Sequence, residues 1–302
     1  MIKINKLFLG AASFKCELNE MEIFVVSLKK LFSLLFIFSV SFGAHAKAQI
    51  QVEYGKFKVD SYELSYSCAG SGAPNVFLEP PSGISAEMAF AKIFLQIAKT
   101  NKVCFYERLG FRESDEPSEG LNQTVKNYSS ELEHLIKLKS DSKKLVLVGY
   151  SFGGFVMRYF AAKHPEQVDS ILLIDAAHEN WIQSMKSSMT QSDWSKMQSI
   201  LDWFQKNLGH NVWDSQFEVA NAKLPENMEI RIVSRGLPHE TIRQAGVSED
   251  GIRIYNELHD KYQAEQLNLT KHTTRVIANK SSHLIVDSEP HIVMEQLSAL
   301  LN

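Results

Sequence analysis

The sequence predicts an α/β fold: an eight-stranded, mostly parallel sheet with helices on both faces. Three observations carry that expectation. Short apolar runs without polar alternation, NVFL at 75–78, LVLV at 145–148 and SILLI at 170–174, read as strands buried on both faces. Stretches with apolar residues at helical spacing separate them, which is the alternation a parallel sheet requires. The run at 145–148 ends in Gly149-Tyr150-Ser151-Phe152-Gly153-Gly154, a strand, tight turn and helix of the G-x-S-x-G type. Such a turn strains the serine backbone and leaves no room for side chains beside it, so glycines flank it and the hydroxyl stands above the sheet.

Two alternating segments, from Ile50 and from Ser61 to Cys68, predict an antiparallel hairpin at the start of the sheet. The third strand is 75–78, followed by Glu79-Pro80-Pro81-Ser82-Gly83. Ser85 is placed to cap one amphipathic helix through residue 100. KVCFY at 102–106 is the fourth strand and opens a polar loop. Asn122 or Thr124 then starts a helix whose apolar face is Val125, Tyr128, Leu132, Leu135 and Ile136. The fifth strand is 145–148, with its helix ending near His164-Pro165, and the sixth is 170–174, ending in Asp175. Residues 181–222 change character, with polar helical segments that hold all four tryptophans of the chain. Strands at 228–233 and 273–278 flank a helix from Glu249 to Leu267. After Ser281-Ser282-His283 comes a last helix from Pro290, with Ser288 as its expected cap.

Composition sets outer bounds. At 302 residues and 44% hydrophobic, the chain can bury one sizeable core. Its formal charge is −3, and the first 46 residues carry five lysines against three glutamates, leaving −5 beyond them. Neither value advertises nucleic acid or an anionic membrane. Lys29 and Lys30 precede the apolar run 31–42 and the small residues Gly43, Ala44 and Ala46, the layout of a secretory signal. Cleavage after Ala46 or Ala48 is expected, with Met21 as a plausible true start, leaving a periplasmic or secreted domain from residue 47 to 302. The apolar run is short for a membrane span, so no stable span is expected after cleavage. Two cysteines then remain, Cys68 and Cys104, enough for one disulfide in an exported chain or for two buried thiols.

Ligands of open parallel sheets bind at the carboxyl ends of the strands. Here those ends offer Ser151, Asp175 and His283. A serine hydroxyl needs a base to take its proton, and an imidazole suits that task. His283 sits in a small polar loop after the last strand, a placement no other histidine of the exported portion matches. The imidazole in turn needs a carboxylate. Asp175 after the sixth strand is the first choice and Glu240 after the seventh the alternative, with Glu249 and Asp250 also available.

These stretches together resemble the α/β-hydrolase fold family over nearly all of the exported portion. The matching residues are Tyr106-Glu107-Arg108-Leu109-Gly110-Phe111 with Ser114, the elbow at Ser151, Asp175-Ala176-Ala177-His178, and His283 with Asp287 and Pro290. The resemblance implies a serine hydrolase of esterase or lipase type, with the order serine, acid, histidine. It also implies an oxyanion hole from the N–H of Phe152 and a donor in the loop after the third strand. Prolines lack an N–H, so Ser82 is the first residue there able to donate. Glu79 and Arg108 are candidates to pair behind it, or to form an ordinary surface ion pair. In that family the second and fourth strands are neighbours, which favours a Cys68–Cys104 bridge worth roughly 3 to 4 kcal/mol in the chain-entropy treatment. The family also places a helical cap where residues 181–222 fall. Its aromatic and methionine side chains either line a pocket or form the cap's own small core.

The expected activity is hydrolysis of a carboxylic ester, or of a thioester, lactone or amide, through an acyl-enzyme. The partner is a small acyl substrate, with no cofactor and no metal called for. Related folds that open epoxides or haloalkanes use a carboxylate nucleophile, so a serine at the elbow argues against both. Two other readings stand beside this one: a ligand-binding or sensing protein on the same fold, and a peptidase or carbon–carbon bond hydrolase using the same machinery.

Overall fold

The computed structural model describes residues 50–302. The expected signal segment, its cleavage sites and Met21 lie outside the described residues. Strands β1 (Val52–Val59) and β2 (Tyr62–Ala69) form the antiparallel hairpin. Its two-residue turn needs a left-handed residue, and Asp60 supplies it at φ 49°. The remaining strands are β3 (Asn75–Glu79), β4 (Val103–Tyr106), β5 (Leu145–Tyr150), β6 (Val168–Ile174), β7 (Glu229–Arg235) and β8 (His272–Ala278). They lie in the order β1-β2-β4-β3-β5-β6-β7-β8, antiparallel as far as β4 and parallel beyond.

Alternation within each central strand feeds two cores. Leu145 and Leu147 face helices α3 (Val125–Lys139) and α4 (Gly153–Lys163). Val146 and Val148 face α1 (Ala86–Phe90), α2 (Phe94–Ile97) and α10 (Pro290–Leu301). Because both faces are covered, every residue of β3, β4 and β5 is buried. That explains why their sequences run apolar without alternation.

Two local expectations are corrected. The single helix after Ser85 is two short ones, α1 and α2, joined by a turn in which the Ile93 N–H bonds the Phe90 carbonyl. Ala86, Ala89 and Phe90 of α1 and Phe94 and Ile97 of α2 are buried in the second core, so two short helices satisfy the same pattern. Ser288 does not cap α10: its hydroxyl instead spans Ser281 Oγ at 2.6 Å and the Leu284 carbonyl at 2.9 Å, bracing the loop that carries His283.

Between β6 and β7 lie α5 (Trp181–Ser188), α6 (Gln191–Leu208) and α7 (Val212–Ala220). Trp194, Met185, Met189 and Met197 form a third cluster with Ile252 and Tyr255 of α8 (Glu249–Glu265). Most of the insert's apolar side chains therefore build a core of their own. Cys68 and Cys104 pair directly across β2 and β4 and are joined as a disulfide.

Candidate active site

The turn after β5 holds Ser151 at φ 54°, a left-handed conformation that a serine keeps only when its surroundings enforce it. Three backbone bonds do so. The Ser151 N–H donates to the Ile174 carbonyl at 2.9 Å, and the Ser151 carbonyl accepts from Gly154 and Ala177, both at 3.0 Å. The flanking glycines are sterically required. A Cβ at Gly153 would lie 2.1 Å from the Glu79 carbonyl oxygen, and one at Gly154 would lie 2.5 Å from the Ala176 Cβ. The elbow thus packs against the ends of both β3 and β6.

Asp175, the first residue past β6, is also left-handed at φ 42° and is buried. Its carboxylate is shared. Oδ2 lies 2.6 Å from His283 Nδ1 and 3.2 Å from Arg235 Nη1, while Oδ1 lies 2.7 Å from His259 Nε2 and accepts from the Arg235 N–H at 3.1 Å. Burial alone raises a carboxyl pKa, but His259, His283 and Arg235 outweigh it and hold Asp175 well below the usual carboxylate range. The Glu240 side chain lies outside the described residues; its backbone begins a 3-10 turn, Glu240–Ala245. Glu249 and Asp250 pair with Arg243 and Arg253 on the surface.

His283 stands in the loop between β8 and α9 (Ile285–Ser288). Tyr150, next to the candidate nucleophile, anchors that loop: its hydroxyl donates to the His283 carbonyl and accepts from the Ile285 N–H at 3.1 Å. A neutral imidazole that donates from Nδ1 presents Nε2 as an acceptor. Ser151 and His283 line one cavity of about 50 Å³, together with Trp181, Tyr255 and Tyr262. His239, whose ring centre is 5.1 Å from that of His283, is pushed down to about 3 by burial and by the nearby His283 and Arg235 charges.

The loop after β3 is fixed from beneath by a buried ion pair. Arg108 donates to Glu79 Oε1 at 2.6 and 2.9 Å, and to the carbonyls of Pro80 and Pro81 at 2.8 and 3.2 Å. Burial opposes the Arg108 charge and Glu79 more than offsets it. Among the described residues no acceptor sits on the N–H of Ser82 or of Phe152. His210, from the loop between α6 and α7, joins the two: Nε2 is 2.8 Å from Ser82 Oγ, and the ring centre lies 4.0 Å from that of Phe152. Its Nδ1 is 2.8 Å from the Tyr128 hydroxyl, and burial, then Arg108, keeps the imidazole neutral.

The structure therefore gathers Asp175 and His283 into contact and places Ser151 in their cavity. Sequence reasoning missed Arg235, His259 and His210, none of which belongs to a motif. It also passed over Tyr150, whose position beside Ser151 was the one available signal.

Comparison with known proteins agrees with this architecture. The sequence profile described as alpha/beta hydrolase fold matches residues 83–215. A proline iminopeptidase of Saccharolobus solfataricus is 29% identical over 127 residues, covering 41% of each chain. The chain spans less than half the length of the curated relatives it matches. Among solved structures, a thermophilic esterase from Thermogutta terrifontis superposes with a TM-score of 0.54 at 15% identity, covering 83% of this chain and 100% of that one. Mouse alpha/beta hydrolase domain-containing protein 10 does so at 0.56 and 13% identity, covering 82% and 98%. The strand order, the elbow after β5 and these matches lead to one conclusion: the chain has the α/β-hydrolase fold.

Proposed function

We propose that the protein is an exported serine hydrolase that cleaves small carboxylic esters or related acyl compounds. The observation that carries the reading is the 2.6 Å contact between Asp175 and His283 in a cavity that Ser151 also lines. Ser151 Oγ attacks the acyl carbonyl while His283 takes its proton, and Asp175 orients the ring and stabilises the cation that forms. The Phe152 and Ser82 N–H groups receive the oxyanion. His283 returns the proton to the leaving alcohol, and water, activated the same way, releases the acid and frees Ser151.

Export is supported by the pattern at 29–48 and by the disulfide, which suits an oxidising compartment. In this reading residues 1–46 are removed with the signal, 47–302 form the hydrolase domain, and the insert at about 181–222 is its cap. The similarity to a proline iminopeptidase favours a peptidase as the second reading.

A panel of p-nitrophenyl esters tests the proposal, with Ser151→Ala as the blank and prolyl p-nitroanilide as the peptidase arm. At least one ester is expected to turn over, and Ser151→Ala to abolish that turnover. Hydrolysis of the anilide in preference to every ester would establish the peptidase reading instead. No turnover of any member would point to a binding protein.

A further inference from the structure

We infer that His259 is a positioning residue which, as a cation on the far oxygen of Asp175, sets the lowest pH at which Ser151 can react. The inference rests on the Ser151-His283-Asp175 reading above. One carboxylate sits between two imidazoles, with His283 Nδ1 2.6 Å from Oδ2 and His259 Nε2 2.7 Å from Oδ1. His259 comes from α8, whose side chains pack on the insert, and it lines the same cavity as Ser151. Nothing in the proposed mechanism requires it.

The second nitrogen of His259 decides its charge. Nδ1 lies 3.2 Å from Asp260 Oδ1, so both ring nitrogens face carboxylate oxygens. A neutral imidazole has one N–H and can answer only one of them, whereas the imidazolium answers both. Burial works against that charge, and the contacts with Asp175 and Asp260 outweigh it, raising the His259 pKa. The ionisable groups around it are Asp175 at the end of β6, Arg235 at the end of β7, His239 in the loop after β7, His283 after β8, and Asp260 on α8 itself. Asp260 is 79% exposed, so solvent weakens its share and Asp175 is the dominant partner.

Two consequences follow for the proposed reaction. With Oδ1 held by His259 and the Arg235 N–H, the carboxylate cannot rotate, and Oδ2 stays on His283. In addition, Asp175 already faces the charges of Arg235 and His259 before His283 accepts a proton. A positive charge on His259 repels the one that His283 takes up when it accepts a proton during the reaction. Removing the His259 charge should shift the acidic fall-off of the reaction to higher pH.

The test compares His259→Gln, which keeps an N–H donor without the charge, with His259→Leu, which removes both. Folding is checked by near-ultraviolet circular dichroism. The readout is kcat/KM on the best ester, and the rate of fluorophosphonate labelling, across about pH 4 to 9. His259→Gln is expected to raise the midpoint of the acid limb by about one pH unit while the plateau stays within about threefold. His259→Leu should lower the kcat plateau about tenfold or more with KM little changed, because among the described residues Asp175 Oδ1 then keeps only the Arg235 N–H to hold it. His259→Leu also removes the charge, so its limb should move in the same direction, and it serves if His259→Gln does not fold. A limb that coincides with that of the wild type or moves down overturns the inference. So does an equal loss in the Gln and Leu variants at every pH, which would mark a merely structural role. A wild-type protein that does not react at any pH overturns the Ser151 reading and this one together; a reactive wild type with an unmoved limb overturns this one alone.

Discussion

Asp175→Asn is expected to lower kcat on the preferred ester by about 10⁴, whereas Glu240→Gln should leave it within about twofold of the wild type. The carboxylate of Asp175 accepts from four donors on three residues, and each donor is oriented for an anion. An asparagine of the same shape can accept through only one of its two terminal atoms. The other becomes an NH₂ facing either His283 Nδ1 or His259 Nε2. The His283 ring would then be held in the wrong tautomer or released. The same change takes the anionic partner from the buried Arg235 guanidinium, which among the described residues keeps only the Asn256 side chain, and the loss of a buried ionic partner typically costs about 3 to 5 kcal/mol. Steady-state kinetics must therefore be measured on protein shown to be folded. An unchanged turnover for Asp175→Asn together with a large loss for Glu240→Gln would move the acid to the segment after β7.

The second large effect concerns stability. Reducing the Cys68–Cys104 bridge, or replacing both cysteines by serine, should lower the unfolding free energy by about 4 kcal/mol, since the bridge closes a long loop in the unfolded chain. The two residues are 36 apart in sequence yet directly opposed in the sheet, so the native strands need not move to form the bond. Equilibrium urea denaturation with and without reductant measures the difference. Two free thiols on titration of the denatured, unreduced protein would contradict the bridge outright.

What the sequence showed and what it hid divide along physical lines. Buried central strands announce themselves because solvent reaches neither face, and LVLV at 145–148 could hardly be read another way. The Ser151 elbow was legible because its geometry forbids a Cβ at two adjacent positions, which writes glycines into the chain. Asp175 and His283 were legible only as strand-end residues; that they touch is a tertiary fact. His259 and His210 were invisible because each arrives from an irregular connection or a helix face whose placement depends on the packing of the insert. The pattern at 86–100 suits one helix as well as the two observed, because apolar periodicity does not distinguish one helix from two that share a core. Ser288 looked like a cap because it precedes a proline, but the loop carrying His283 claims its hydroxyl first.

The central claim is that Ser151 is an activated nucleophile, and its most direct test is active-site labelling. Folded protein treated with a fluorophosphonate probe, digested and analysed by mass spectrometry, should carry one adduct on the peptide that contains Ser151, and heat-unfolded protein should carry none. An absent adduct, or one on a different serine, would contradict the account.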